Sequence, residues 1–210
     1  MFYYAFFIAF ILFTAVSHGK PATFRVNQPK PCCIPSQFSV LLTVSSAQEV
    51  PNAGIGASYA VFNYSSDANR RIIAMKGISY SVIDQKESNV WVIENIAEKQ
   101  AYIIDGNTKK CIKNSYPVEP FRCISESATY LYSSMYGYGN SQSQGDTWYV
   151  EDNDRVSFIT VSSDGNCIPM NTNSFIGNPR ELNSLTMSNY VSNIKDPSMF
   201  EIPEECKNLV

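Results

Sequence analysis

The sequence predicts a mainly β protein, built of antiparallel sheets that fold over into a sandwich or half-barrel. Short runs rich in Val, Ile, Tyr, Phe and Thr recur along the chain, and such runs bounded by turn residues are typical of strands. They follow one another with connections of a few residues and no intervening helices, which favours antiparallel pairing. We find no internal repeat and no linker, so residues 20–210 are expected to form a single domain.

Turn residues separate the predicted strands. The first strand ends at Pro51-Asn52-Ala53-Gly54, and Asp105-Gly106-Asn107 is a strong hairpin signal. The segment 130–144, rich in Tyr, Ser, Gly and Asn, lacks a regular period and is expected to be an exposed loop. Residues 182–194 fit either a short helix or a strand. The predicted strands span residues 38–50, 57–64, 71–76, 78–84, 89–95, 101–105, 119–124, 146–151, 156–162 and 167–170.

A secretory signal peptide is expected at residues 1–19. An almost uninterrupted apolar run reaches Val16, and Ser17 and Gly19 stand at the −3 and −1 positions of a cleavage site. The run is shorter than the roughly 20 apolar residues of a membrane span, and the alternative is an uncleaved anchor. We therefore expect a secreted protein.

Charge and histidine content argue against several classes of function. The chain carries 16 Lys and Arg against 19 Asp and Glu, and the basic residues are scattered, whereas a nucleic-acid binder normally shows a basic patch. His18 is the only histidine and lies within the predicted signal peptide. The mature chain then lacks the imidazole of a catalytic triad, a Cys-His dyad or a zinc protease. Catalysis by two carboxylates remains open, but we expect a binding protein rather than an enzyme.

Six cysteines in a chain addressed to an oxidising compartment predict three disulfides. Cys32 and Cys33 are neighbours, and in extended backbone their side chains point to opposite sides, so they are expected to tie the N-terminal segment to two different places. A metal site is the alternative. It is disfavoured because the sequence has no C-x-x-C pair and no histidine to complete a zinc shell.

Two segments near the ends of the chain resemble the ependymin-related family. The first, residues 31–38, is similar to the family's P-C-x-x-P-x-x-aromatic start, and the second, residues 194–206, carries its D-P-S-x-F and P-x-x-C pattern. Tyr64, the stretch 102–105 and Cys167-Ile168-Pro169 match between them in order and spacing. The resemblance covers nearly all of the mature chain, and the Cys32-Cys33 doublet suggests an invertebrate member.

The resemblance implies two stacked antiparallel sheets, curved like bacterial periplasmic lipoprotein carriers and enclosing a deep apolar pocket. It also implies a homodimer that binds a fatty acid or other lipid and associates with calcium, in extracellular fluid or lysosomes. The family pairing joins Cys32 to Cys167 and Cys111 to Cys206. Cys33 and Cys123 are left for the third bridge, which vertebrate relatives place elsewhere.

Four large aromatic residues in different predicted strands could line such a pocket, since ligand pockets use apolar and aromatic walls. The alternative is that they fill an ordinary β core. Asn63-Tyr64-Ser65 is the one N-x-S/T sequon of residues 20–210 and predicts glycosylation of Asn63. The pocket candidates are Trp91, Tyr102, Trp148 and Phe158.

Two acidic clusters, residues 151–154 and 163–166, could offer oxygen ligands to calcium. Neither forms an EF-hand loop, and turn chemistry alone accounts for both, so no metal ligand is assigned. The sequence thus predicts a secreted carrier or sensor of an apolar ligand that requires no cofactor, with calcium as the one candidate ion. The alternative is an adhesive or matrix protein without a small-molecule ligand.

Overall fold

The computed structural model describes residues 28–50, 54–115 and 122–207, so the predicted signal peptide lies outside the described residues. The described part is dominated by strands, which confirms the predicted mainly β class. No helix in these ranges is long and apolar enough to cross a bilayer. The strands are β1 Gln37–Val50, β2 Gly54–Asp67, β3 Ile72–Ser81, β4 Lys86–Asn95, β5 Gln100–Asp105, β6 Cys111–Ser115, β7 Thr129–Tyr138, β8 Ser141–Asp152, β9 Arg155–Ser162, β10 Pro169–Ile176 and β11 Glu181–Val191.

All eleven strands belong to one antiparallel sheet. Its order is β6-β5-β4-β3-β2-β1-β11-β10-β9-β8-β7. Two meanders, β1 to β6 and β7 to β11, are therefore joined where the first strand pairs with the last, from Ser39 opposite Val191 to Gln48 opposite Glu181. The two stacked sheets expected from the sequence are two halves of a single continuous sheet.

Alternation along β1 gives the sheet its two faces. Phe38, Val40 and Leu42 are buried on one side, while Thr43 and Ser45 are exposed on the other. Side chains directly opposite each other on paired strands share a face, so the registers extend these two faces across the whole sheet. We call the face of Phe38 the concave face and the opposite one the outer face.

The C-terminal segment covers the outer face of β3 to β5. A 3-10 helix, Pro197–Phe200, and a short helix α1, Glu204–Lys207, follow β11. Trp91 donates its indole N–H to the carbonyl oxygen of Met199 at 3.0 Å. Apolar residues of the sheet and the segment form one core there, whose buried members are Ile72, Ala74, Ile93, Tyr102, Ile104, Met199, Phe200 and Cys206.

The structure differs from several of the predicted elements and decides the segment that the sequence leaves open between helix and strand. Residues 130–144, expected as a loop, form most of the β7–β8 hairpin, with Tyr138 paired to Ser141 at its turn. The segment 182–194 is a strand as far as Val191, and the two strands expected at 71–76 and 78–84 are one strand, β3. Of the strand predicted at 119–124, only an isolated bridge between Cys33 and Cys123 lies within the described residues.

Candidate functional site

A cavity of about 1190 Å³ lies on the concave face. Its walls include Ile73 of β3 and Ile159 of β9, and four strands separate these two in the sheet order. Residues so far apart in the sheet can border one cavity only because the sheet curves and its halves face each other. The apolar lining includes Phe38, Val44, Ile73, Met75, Ile159 and Leu185.

The cavity exists because the concave face carries side chains of moderate size over β10 and β11. Thr172 and Ser174 point from β10 into the space that larger side chains would fill. Ser174 and Ser157, opposite each other on β10 and β9, share a hydrogen bond of 2.9 Å between their hydroxyl oxygens. This pairing satisfies two polar groups that border an apolar space, since an unpaired buried hydroxyl would cost free energy.

The N-terminal segment closes one side of the cavity and is pinned there covalently. Cys32 is joined to Cys167 and Cys33 to Cys123, the pairs implied by the family resemblance and by the remaining cysteines. The amide of Ile34 donates to the carbonyl oxygen of Arg122 at 2.8 Å. Ile34, Pro35, Arg122 and Cys123 all border the cavity. The third disulfide, Cys111–Cys206, instead fixes the C-terminal segment to the outer face.

None of the four aromatic residues predicted from the sequence borders this cavity. Trp91 and Tyr102 lie on the outer face, within or against the core beneath the C-terminal segment. Trp148 is on the concave face but 1% exposed. It packs against Ile159 and Cys167 in a solid cluster, and its indole N–H has no hydrogen-bond partner among the described residues.

Phe158 borders a different space, an open groove of about 730 Å³ on the outer face of β7 to β11. Its ring meets that of Phe175 edge to face, with centroids 6.0 Å apart. Tyr132 and Phe175 on the same groove are about half exposed. The structure therefore places the predicted aromatic residues in two cores and one outer groove.

Sequence reasoning missed the residues that do line the cavity. The alternation of Phe38, Val40, Leu42 and Val44 with smaller or polar residues marks one apolar face of β1, and that pattern could have identified the concave wall. Nothing comparable marks Ser174, which lines the cavity by being small.

Charged residues gather at the border of the cavity. Arg71, Arg122 and Arg155 line it together with Asp67 and Asp152. The Asp67 carboxylate accepts hydrogen bonds from the Gln37 side-chain amide at 3.0 Å and from the backbone amides of Asn69 and Arg70, each at 3.1 Å. These donors stabilise its negative charge.

Burial opposes the ionisation of Glu94, an acidic residue of the concave face. It lies opposite Ile73 on β3 and Ala101 on β5, and desolvation raises the pKa of its carboxyl. Burial of a carboxylate without a paired cation disfavours the charged form. The structure shows no ion pair for Glu94 among the described residues.

Of the two acidic turns suggested as calcium ligands, the one at residues 163–166 is held by local hydrogen bonds. Asp164 accepts from the Ser162 hydroxyl at 2.6 Å and from the side chain and backbone amides of Asn166, and these bonds lower the pKa of its carboxyl. Residues 152–155 form the β8–β9 turn. Within the described ranges, no group of three or more Asp, Glu, Cys or His is placed to hold a metal. Calcium association stays a prediction.

A curved antiparallel sheet with an apolar cavity on its concave side and three disulfides defines a mainly β cavity-containing protein. The Ependymin family model matches residues 84–206, more than half of the sequence. The chain belongs to the ependymin family, which confirms the family predicted from its two terminal segments.

Two solved structures are similar to this chain at very low sequence identity. An uncharacterized conserved protein from Thermus thermophilus is 6% identical, with a TM-score of 0.45, over 80% of this chain and 88% of the other. A DUF1329 family protein from Desulfovibrio piger is 6% identical, with a TM-score of 0.32, over 80% of this chain and 90% of the other. None of the curated proteins matches the sequence.

Proposed function

We propose that this protein is a secreted binding protein that holds an apolar small molecule, such as a fatty acid or another lipid, in the concave cavity. The observation that carries the proposal is the cavity itself, about 1190 Å³ with a largely apolar lining. Small-molecule sites are typically concave, mostly apolar and several hundred Å³ in volume. A cavity of this size accommodates a ligand larger than most drug-like molecules.

The energetics of an alkyl ligand support micromolar binding. Burial of one methylene contributes about 0.8 kcal/mol, so a long acyl chain gains on the order of 10 kcal/mol before ordering costs are subtracted. Those costs are reduced because the cavity walls are strands of one sheet and the closing segment is held by two disulfides. A pre-formed site of this kind binds without first having to order its walls.

Secretion fits the three disulfides, because such bonds persist in oxidising compartments. Asn63 is exposed on the outer face of β2, where an attached glycan would not meet the cavity. An Asn63→Gln change is expected to remove glycan mass from protein made in cells that glycosylate. An unchanged mobility of that variant on a gel would contradict the glycosylation.

We propose homodimer formation and calcium association on the basis of family membership alone. Light scattering at micromolar concentration measures the first, and a dimer mass is expected. Calcium titration followed by calorimetry measures the second. We also propose that the protein binds its ligand without catalysing a reaction, because the groups that border the cavity suggest none.

The alternative function, adhesion to other secreted proteins, is favoured by one observation. Tyr132, Phe175 and the groove between them expose aromatic surface on the outer face, and exposed apolar surface on a secreted protein often marks an interaction site.

Extraction of the purified secreted protein with organic solvent, followed by mass spectrometry, tests the carrier function. The proposal predicts lipid in about equimolar amount to the protein. Protein that yields no lipid and binds none when it is added would leave the adhesive function.

A further inference from the structure

We infer that the cavity selects a ligand whose apolar chain ends in an anionic head, and that Arg122 and Arg155 bind that head at the cavity border. This inference rests on the proposed function and narrows it from apolar ligands in general to single-chain amphiphiles with a carboxylate or phosphate-type end. It starts from the charged residues that border the cavity beside its aliphatic walls.

The two arginines border the cavity from two different parts of the chain. Arg155 is the first residue of β9. Its register opposite Asp152 and Ile176 places it on the concave face. Arg122 lies outside the sheet, next to Cys123, which is bonded to the N-terminal segment that closes the cavity. Both side chains are solvent-exposed while they border the apolar space, so their guanidinium groups stand where a buried chain would reach water.

Neither guanidinium forms a hydrogen bond or an ion pair within the described parts of the chain. A guanidinium presents several N–H donors in a planar fork that matches a carboxylate or a phosphate. By contrast, Arg70 lies over the ring of Phe200 on the outer face, 5.5 Å from the ring centroid. Arg122 and Arg155 are therefore available to an incoming anion.

The charge balance at the border favours an anion. Three arginines, including Arg71, face two carboxylates there. The carboxylate of Asp67 accepts hydrogen bonds from three neutral N–H donors, which stabilise its charge without cancelling it. The formal charge of these lining residues is therefore positive by one, although the whole chain carries a net charge of −3.

The closing segment holds Arg122 in a fixed place. The Cys33–Cys123 disulfide and the hydrogen bond from the Ile34 amide to the Arg122 carbonyl oxygen anchor the backbone on the C-terminal side of this residue. An anchored backbone reduces the conformational entropy that this part of the chain loses when a ligand binds. The disulfide that cannot be assigned from vertebrate relatives thus has a role at the binding site.

Matched ligands test the inference on delipidated full-length protein. Displacement of the neutral probe Nile red is measured with dodecanoate, dodecyl phosphate and 1-dodecanol, which share one chain length and differ in head group. A charge-assisted hydrogen bond stabilises a complex more than a neutral one does, and solvent screening at the border reduces that gain. We expect the two anions to bind about tenfold more tightly than the alcohol, and the difference to shrink in high salt.

The Arg122→Gln/Arg155→Gln double variant should bind 1-dodecanol as wild type does and should lose the preference for the anions. Arg180→Gln is the matched control, because Arg180 is exposed, is not on the cavity border and lies 3.8 Å from Glu49; its preference should be unchanged. Equal affinity of wild type for dodecanoate and 1-dodecanol, or a preference retained by the double variant, would overturn the inference alone. Failure of every ligand to displace the probe would overturn the proposed function with it.

Discussion

The two faces of the sheet are covered in different ways. On the outer face of β3 to β5, the C-terminal segment fills the surface with Met199 and Phe200, and a solid core results. On the concave face, the N-terminal segment covers only one side, and a cavity remains between Phe38 of β1 and Ile159 of β9. A segment clamped by disulfides over a sheet can therefore either complete a core or form the wall of a binding space.

The positions of the two tryptophans illustrate this difference between a solid core and a cavity. Trp91 and Trp148 both lie in solid clusters, one beneath each clamped segment. The cavity wall combines aliphatic and hydroxyl side chains, as at Leu185 and Ser174, with the rings of Phe38 and Tyr64. The two tryptophans therefore fill the cores beneath the clamped segments, and neither borders the cavity.

The largest effect is expected from Trp148→Ala. Trp148 is 1% exposed and contacts Ile124, Ile159 and Val161, so its truncation should destabilise the protein by about 3–5 kcal/mol. Trp91→Ala should cost less, because Trp91 is only partly buried. Urea unfolding measures both. A Trp148→Ala variant that unfolds like wild type but has weakened ligand binding would place this residue in the binding wall instead.

A smaller loss of stability is expected from Gly77→Ala on the concave face of β3. A Cβ at Gly77 would stand 2.0 Å from the carbonyl oxygen of Val61 and 2.9 Å from the Cα of Phe62. Both are backbone atoms, so the strands must separate, at a cost of about 1–3 kcal/mol. Gly177→Ala is the matched control, since its nearest neighbour would lie 3.6 Å away. Equal melting temperatures of the two variants would contradict the close packing of β2 on β3.

The smallest effect is expected from Glu94→Gln and depends on pH. Burial raises the pKa of Glu94 in the folded protein, so ionisation costs stability, and this cost develops as the pH rises from the ordinary carboxyl pKa through the raised one. Below that window both states are protonated and the cost is absent. Glu94→Gln should therefore raise the melting temperature at pH 7 and leave it nearly unchanged at pH 4. A gain at pH 4 as large as that at pH 7 would contradict the buried carboxylate.

Part of this structure could be predicted from the sequence because local pattern determines it. The alternation along β1 and the turn at Asp105-Gly106-Asn107 predict a strand and a hairpin, and both are present. The family pattern supplied the disulfide partners of Cys32 and Cys111, which local pattern alone leaves open among 15 pairings.

Other features depend on pairing that local sequence does not reveal. Residues 130–144 lack alternation because both faces of this hairpin are largely exposed, with Tyr138 86% exposed. Which face a strand residue occupies also decides its role. Trp91 and Val90 are neighbours on β4, yet Trp91 packs on the outer core and Val90 on the concave one. Sequence identified the aromatic residues but could not decide which of them face a cavity.

Binding of an apolar ligand on the concave face is tested most directly by one pair of substitutions. Leu185 and Leu182 lie on the same strand, β11, with Leu185 lining the cavity and Leu182 exposed on the outer face. Titration of delipidated wild type with Nile red is compared with Leu185→Trp and Leu182→Trp. The proposal predicts saturable binding to wild type and to Leu182→Trp, and at least about tenfold weaker binding to Leu185→Trp because the added ring occupies the cavity. A flat wild-type titration, or a Leu185→Trp variant that binds as wild type does, would contradict it.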